Sequence, residues 1–291
     1  MTSCPACGAE LATGLRPWHL ACRSCSYEGS SLQPHILDQQ AGGDLDEHLR
    51  GDALRTLRDR NFNAIAQWVR RLVPAPRGDT AGRPKLLDVG CAHGWFLDRM
   101  RGDFEVTGIE PDPNVALEAA RTGIVVHSGF FPDVLAADDT HDVIVFNDVL
   151  EHIPDVDATL AACRRHLRPG GVLVVNAPDR RGFLYRLSQL TDKVGLGGWF
   201  DRLWQVGFPS PHVHYFDTAS ISRMSARHGF ELIERHRLPS VALPGLYSRI
   251  RYSKDASLVG AIATTAVVAA MVPMLAVMPS DITVWIFRRP G

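Results

Sequence analysis

The stretch from Lys85 to Leu97 constrains the fold more than any other part of this sequence. Its first half, Leu86 to Val89, is a short apolar run of the kind that forms a buried parallel strand. A turn containing Gly90 and Gly94 follows, and an apolar-periodic helix is predicted to begin at Trp95. This arrangement favours a nucleotide-type ligand held by backbone N–H groups at a helix N-terminus. Because glycine has no Cβ, we expect the two glycines to let the backbone approach that ligand closely.

The second predicted strand ends in an acidic residue. The run from Phe104 to Ile109 is apolar-rich, and Glu110 follows it, 20 positions after Gly90. An acidic side chain at this place holds ribose hydroxyls in nucleotide-binding α/β folds. The turn lacks the strict G-x-G-x-x-G pattern of dinucleotide-binding proteins, which argues against an NAD enzyme.

Three ordered motifs resemble one known family. The segment Asp88-Val-Gly-Cys-Ala-His-Gly94 is similar to motif I of class I S-adenosylmethionine-dependent methyltransferases, with Ala92 in place of the middle glycine. Residues 141–152 resemble the family's fourth strand and the loop after it, and residues 167–175 resemble its turn into the fifth strand. The resemblance covers roughly residues 80–180 and weakens towards 237. It implies S-adenosyl-L-methionine as cofactor and an α/β fold, a Rossmann-like doubly wound sheet of seven mostly parallel strands.

The resemblance also implies roles for individual residues in cofactor binding. Asp88 is expected to hold the turn and the amino-acid end of the cofactor, and Glu110 to take the ribose hydroxyls. Phe130 is expected either to stack on the adenine or to belong to the core, and Asn147 and Asp148 to lie near the methionine moiety. The predicted cofactor-binding residues are Asp88, Gly90, Cys91, Ala92, Gly94, Glu110, Pro111, Phe130, Asn147 and Asp148.

Four residues are candidates for catalysis. Glu151 and His152 follow the fourth strand at the carboxyl edge of the sheet, where they either face an acceptor or cap the next helix. His212 and His214 alternate, so they face the same side if the chain is extended there. Either of these two is a candidate general base for an acceptor hydroxyl, and the alternative is a structural role.

The N-terminal segment carries a metal-binding pattern. Cys4 and Cys7 form one C-x2-C pair, Cys22 and Cys25 form a second, and this spacing predicts a zinc ribbon. So short a segment cannot bury a core of its own, so a structural Zn²⁺ would supply the folding free energy. The alternative is four unrelated reduced cysteines. The N-terminus lacks the pattern of a secretion signal, which favours a reducing compartment for the six cysteines.

The charge pattern argues against nucleic acid as a partner. The two acidic and two basic residues of 1–34 cancel, and the whole chain has a formal net charge of −1. Binding to phosphates requires clustered Lys and Arg. The ribbon is therefore predicted to be structural or to shape the acceptor site, although an RNA methyltransferase that uses the ribbon stays an alternative.

The pattern divides the chain into three parts. These are a zinc ribbon over 1–34, a linker and lid helices over 35–84, and the methyltransferase domain over 85–291 with insertions at 179–216 and 240–280. Apolar residues at helical spacing between Leu45 and Leu72 predict one or two helices that lid the cofactor site or pack on the sheet. The first insertion is rich in aromatics and glycines, and predicts an acceptor pocket, a mobile lid or a satellite cluster.

The segment 257–278 is almost wholly apolar and is flanked by basic residues. A single membrane crossing would leave the predicted last strand on the wrong side, so we expect an interfacial helix, a re-entrant hairpin, a dimer-forming helix or a buried core helix. The predicted localisation is cytoplasmic, with peripheral contact at the inner face of the membrane as one option. The expected function is methyl transfer to a small-molecule, lipid-linked or glycan acceptor, and the further alternative is a non-catalytic cofactor-binding interaction protein.

Overall fold

The computed structural model describes residues 3–35, 47–73, 82–195, 197–240 and 277–291, together with isolated positions between 247 and 272. Most of the apolar segment predicted over 257–278 lies outside the described residues. Within the described residues, no helix is both long and apolar enough to cross a membrane.

The chain forms eleven strands and seven helices within the described residues. The strands are β1 (Leu11–Thr13), β2 (His19–Cys22), β3 (Glu28–Ser30), β4 (Lys85–Val89), β5 (Glu105–Glu110), β6 (Val125–Ser128), β7 (His141–Asn147), β8 (Leu167–Pro178), β9 (His214–Tyr215), β10 (Glu231–Leu238) and β11 (Ile282–Arg288). The helices are α1 (Glu47–Leu72), α2 (Trp95–Met100), α3 (Pro113–Ala120), α4 (Val156–His166), α5 (Phe183–Asp192), α6 (Gly198–Leu203) and α7 (Thr218–Arg227).

The main sheet has seven strands in the order β10-β11-β8-β7-β4-β5-β6. Strand β11 runs antiparallel to both of its neighbours, and the other neighbouring pairs are parallel. The predicted fold class, a doubly wound sheet of seven mostly parallel strands, is therefore confirmed.

Both faces of this sheet are covered, which explains why its strands are continuous apolar runs. In β7, Val143 and Val145 point into the core on one face, where α1 and α2 pack. Ile144 and Phe146 point into the core on the other face, where α4 and α7 pack. The alternation follows from the two-residue period of a strand. The pairing of β4 with β5 and with β7 brings the carboxyl ends of these strands together at one edge of the sheet.

The region predicted to hold one or two helices after the linker forms one helix, α1. Its Ile65 and Val69 are fully buried against the sheet, while Arg58 and Phe62 line the main cavity. The helix therefore packs on the sheet, as one alternative predicted, and also lines the cavity. The side chain of Arg70 donates to Asp103, and this ion pair ties the end of α1 to the loop after α2.

The N-terminal ribbon shares a sheet with a distant part of the chain. Strands β1, β2 and β3 pair with one another, and β3 pairs with β9, so that Gly29 lies opposite His214. Buried ribbon residues, among them Cys4 and Tyr27, belong to the same core cluster as the buried face of the main sheet. The ribbon therefore packs on the main domain and shares a hydrophobic core with it.

The first insertion packs against the ribbon. Helices α5 and α6 bury Tyr185, Phe200 and Trp204 in an aromatic cluster that includes Trp18 of the ribbon. The residues after α6 return to the main cavity, which Phe208 lines. The insertion thus forms a satellite cluster, one of the predicted alternatives, and also contributes to the wall of the cavity.

Candidate functional site

A cavity of about 550 Å³ opens at the carboxyl ends of β4, β5 and β7. This edge is where ligands bind in open α/β folds. Nine of the ten predicted cofactor-binding residues line the cavity, and Gly94 does not. The set comes together because parallel strands present their C-terminal loops at one edge of a sheet.

The turn after β4 adopts a left-handed backbone at three positions. Gly90 has a φ of 70°, Ala92 of 46° and Gly94 of 73°. A Cβ at Gly90 would lie 2.5 Å from Cγ2 of Val149, whereas a Cβ at Gly94 would meet only ordinary contacts. The requirement for glycine at 90 therefore comes from backbone conformation and from close packing on Val149, and at 94 from conformation alone.

Glu110, at the end of β5, ties the two loops of the cavity together. Its Oε2 accepts a hydrogen bond from the backbone N–H of Ala92 at 2.9 Å, and its Oε1 accepts one from the N–H of Asp112 at 3.0 Å. Carboxylate oxygens accept more than one hydrogen bond each, so the group can also receive hydroxyl donors. These bonds fix the side chain of Glu110 in the lining of the cavity. Its predicted role there is to accept hydrogen bonds from ribose hydroxyls.

Two carboxyl groups that line the cavity, those of Asp88 and Asp148, have raised pKa values. Burial, together with the charge of Glu110, raises the pKa of Asp88 to about 8, even though Asn147 donates a hydrogen bond to it. Burial also raises the pKa of Asp148, and the positive charge of Arg58 offsets part of that shift. A bound cation would favour the ionised form of these carboxyl groups, so ligand binding and their ionisation are coupled.

Sequence reasoning missed Arg58 as a site residue. It lies on α1, lines the cavity and acts electrostatically on Asp148. The helical pattern predicted α1, but several Arg residues of that helix carry the same local signal. Only the docking of α1 on the sheet shows which one reaches the cavity. Pro34 lines the same cavity and was likewise not predicted, whereas Gln205 and Phe208 lie in the insertion 179–216, for which an acceptor pocket was one predicted alternative.

His152 is the predicted catalytic residue that lines the cavity. Its Nδ1 lies 3.0 Å from the backbone oxygen of Pro211, and since that oxygen can only accept, Nδ1 carries the proton. In the neutral ring, Nε2 is then the basic nitrogen. Oε1 of Glu151 lies 3.9 Å from this Nε2.

Glu151 and His212 form a buried layer behind His152. Both carboxylate oxygens of Glu151 lack a hydrogen-bond partner in the described part of the chain, and burial and Asp148 raise its pKa well above the ordinary value. The ring of His212 lies 4.7 Å from that of His152, and its Nε2 lies 2.9 Å from the side-chain nitrogen of Gln205. Burial and the neighbouring His152 lower the pKa of His212 well below its usual range.

His214 was predicted as a candidate base, and the structure places it elsewhere. Its Nε2 donates to the backbone oxygen of Ile153 at 2.8 Å, and its Nδ1 accepts from the hydroxyl of Tyr27. The side chain is fully buried between the ribbon and the loop after β7. His212 and His214 thus have different hydrogen-bond partners, because β9 pairs with the ribbon and brings His214 against Tyr27.

The four ribbon cysteines fit a structural zinc ion. Their Sγ atoms all lie within 4.8 Å of one another. The Sγ atoms of Cys4 and Cys25 are 3.4 Å apart, and those of Cys7 and Cys22 are 3.5 Å apart. Tetrahedral zinc with bonds of about 2.3 Å places its sulfur ligands about 3.8 Å apart. The donor set and its spacing agree with the predicted ribbon.

Curated relatives of this chain match part of its length. A ubiquinone biosynthesis O-methyltransferase of Paramagnetospirillum magneticum is 36% identical over 118 residues, which is 38% of this chain and 47% of that protein. One of Xanthomonas oryzae pv. oryzae is 33% identical and is matched over 38% of this chain and 50% of its own length. The chain thus spans about half the length of the curated relatives it matches.

Solved structures share the fold over most of the chain. A cyclopropane synthase of Mycobacterium tuberculosis aligns with a TM-score of 0.60 at 19% identity, covering 89% of this chain and 100% of that one. At these identities the likeness concerns the fold alone. The family model described as a methyltransferase domain matches residues 57–235, more than half of the chain. The chain belongs to this methyltransferase family.

Proposed function

We propose that this chain binds S-adenosylmethionine in the main cavity and transfers its methyl group to a hydroxyl oxygen of a small, quinol-like acceptor. The observation that carries the proposal is the cavity at the carboxyl edge of β4, β5 and β7. Glu110, the left-handed turn, Asp88, Asp148 and His152 all line this cavity.

The cofactor side of the cavity offers a partner for each part of S-adenosylmethionine. Glu110 would receive the ribose hydroxyls, and the guanidinium of Arg58 would bind the carboxylate of the methionine moiety. Asp88 and Asp148 would face its positive charges. The aromatic ring of Phe130, which is 45% exposed and lines the cavity, would cover the base. When bound, the cofactor supplies a methyl group on a positively charged sulfur.

His152 would act as the general base. Its Nδ1–H is held by the backbone oxygen of Pro211, so Nε2 accepts the proton of an acceptor hydroxyl. A positive charge on His152 would favour the ionised form of Glu151, 3.9 Å from Nε2, and the carboxylate would in turn stabilise the imidazolium. The chain's main contribution is to hold the acceptor oxygen in line with the methyl group and to exclude water.

The acceptor class follows from the cavity wall and the relatives. Phe62, Ile153 and Phe208 give that wall an apolar character. The relatives are named ubiquinone biosynthesis O-methyltransferases, which supports a quinol-like acceptor, free or linked to a lipid. The ribbon does not favour RNA: Arg16 is paired with Asp192 and Asp201, and Arg23 alone does not form the cluster of basic residues that phosphate binding requires.

The test is methyl transfer from labelled S-adenosylmethionine to an extract of the cells that encode the protein, followed by partition between organic and aqueous phases. We expect the label in the organic phase with the wild-type protein, and its loss with Glu110→Gln. Label that stays in the aqueous phase would overturn the lipid-linked acceptor. The absence of any enzyme-dependent label would overturn the proposed activity.

A further inference from the structure

The ribbon reaches the proposed catalytic residues through residues 209–215, which we call the strap. On one side of the strap lies the ribbon, and on the other side lies the loop after β7 that carries Glu151 and His152. Hydrogen bonds join the strap to both.

On the ribbon side, the strap accepts hydrogen bonds from Ser30 and from His35, which directly follows the ribbon. The hydroxyl of Ser30 donates to the backbone oxygen of His212 at 2.9 Å, and the N–H of Ser30 donates to the oxygen of Val213 at 3.0 Å. The N–H of His35 donates to the oxygen of Pro209 at 2.8 Å. Ser30 is only 3% exposed, so water cannot readily replace its hydroxyl as a donor.

On the other side, the strap forms hydrogen bonds with the loop after β7, which carries Glu151 and His152. The N–H of Val213 donates to the backbone oxygen of Glu151 at 2.8 Å. The oxygen of Pro211 accepts from Nδ1 of His152, which fixes the tautomer of that ring. His214 spans the strap, since it accepts from Tyr27 of the ribbon and donates to the oxygen of Ile153.

We propose that the ribbon is a positioning element of the methyl-transfer site, with Ser30 and His214 as positioning residues that set the strap, and through it His152 and His212. This inference rests on the proposed function for its link to catalysis. Asp88, Glu110 and Arg58, which are proposed to bind the cofactor, belong to β4, β5 and α1, and among the described residues the ribbon contributes only Pro34 to the lining of the cavity. A substitution that removes the hydrogen bonds between the ribbon and the strap should therefore lower turnover and leave cofactor binding intact.

The kinetic test compares Ser30→Ala with Ser31→Ala, in which the same change falls on an exposed neighbour. A short alkyl catechol serves as the acceptor probe. We expect kcat to fall about tenfold in Ser30→Ala, with the affinity for S-adenosylhomocysteine unchanged within about twofold and Ser31→Ala like the wild type. Equal kcat values in the two variants, or a parallel loss of cofactor affinity, would overturn the proposal.

A second measurement does not depend on activity. Zinc is released from the intact protein with a thiol reagent and a chelator, the released metal is counted, and backbone hydrogen exchange is followed. We expect exchange in 209–215 to rise about tenfold or more, while β6, at the far edge of the sheet, keeps its protection. Unchanged exchange in the strap, or an equal rise throughout the chain, would rule out a positioning role for the ribbon.

The two measurements separate the two proposals. A wild-type protein that binds no cofactor and methylates nothing would end the proposed function. The exchange experiment would still show whether the ribbon holds the strap, because it reads backbone protection and zinc content only.

Discussion

The residue Asp88 links the stability of the protein to pH. Its pKa is raised from 3.8 to about 8, chiefly by burial. Between these values the unfolded chain releases a proton that the folded protein keeps, so the free energy of unfolding falls as pH rises, by up to about 1.4 kcal/mol per pH unit from this group. We predict that Asp88→Asn loses stability less steeply between about pH 4 and pH 8, as measured by urea unfolding. Identical slopes for variant and wild type would contradict the assignment.

At His152 we predict a loss of turnover without a loss of cofactor affinity. His152→Asn keeps a donor near Nδ1 for the oxygen of Pro211 but removes the basic nitrogen. General base catalysis contributes about 10² to 10⁴ to a rate, so kcat should fall within that range. Steady-state kinetics and titration with S-adenosylhomocysteine measure the two quantities separately.

The matched control is His127→Asn, on the exposed edge strand β6. It should behave as the wild type in both measurements. A kcat for His152→Asn within about threefold of this control would show that another group takes the proton, or that none is needed.

Single residues also mark the limit of sequence reasoning. The spacing of Asp88 and Glu110 from the glycine turn predicted their place at the cavity, because the βαβ unit fixes both. His214 could not be placed in this way. Its surroundings depend on a pairing with Gly29 that is remote in sequence, and no local pattern reports such a pairing.

At the scale of the element, the β4–α2 turn should tolerate no Cβ at position 90. Gly90 has a φ of 70°, and an added Cβ would lie 2.5 Å from Val149. We predict that Gly90→Ala lowers the free energy of unfolding by about 2 kcal/mol or more and abolishes cofactor binding, since the turn would have to shift.

Gly102 provides the control for that substitution. It lies between α2 and β5 with open space around the Cβ position, outside the left-handed region. Gly102→Ala should change the free energy of unfolding by less than about 0.5 kcal/mol and leave binding intact. A Gly90→Ala variant as stable as Gly102→Ala would refute the strain at the turn.

The main strands and helices were predictable because each carries a local signal in the sequence. The continuous apolar run of β7 and the apolar spacing of α1 are such signals, and their order along the chain follows the expected fold. Strand β9 was not predictable, since two residues, His214 and Tyr215, have no period to detect. These two residues form a strand because they pair with the edge of β3.

For the whole molecule, the ribbon and the main domain should unfold together when zinc is bound. They share a core cluster and a sheet, and Glu28 of the ribbon is paired with Arg180 at 2.7 Å. We predict one calorimetric transition, with zinc released over the same temperature range. Release of zinc in a separate, earlier transition would contradict this coupling.

A substitution in the aromatic contact between the ribbon and the insertion tests the same coupling between ribbon and domain. Trp18 lies 5.6 Å from Trp204 and 5.9 Å from Phe200 between ring centroids. Trp18→Ala should lower the free energy of unfolding by about 2 to 3 kcal/mol and keep the transition single. Trp199→Ala, at a side chain 37% exposed on α6, should have a much smaller effect.

At the scale of the whole molecule, patterns in the sequence predicted the zinc ribbon and the main sheet, but not how the ribbon packs on the domain. The cysteine spacing indicated a ribbon, and the motifs indicated the sheet, because both are set by short segments. The packing of the ribbon on the domain follows from contacts between residues far apart in the chain, such as Arg16 with Asp192 and Asp201. These contacts have no signature within either segment.

The most direct test of the proposed site is calorimetric titration of the purified protein with S-adenosylhomocysteine. We predict one site per chain with a Kd in the micromolar range or tighter, weakened about tenfold or more in Glu110→Gln. The variant Glu105→Gln, at the exposed start of the same strand, should bind as the wild type does. Absence of binding by the wild type, or equal affinity in Glu110→Gln, would contradict the cofactor site.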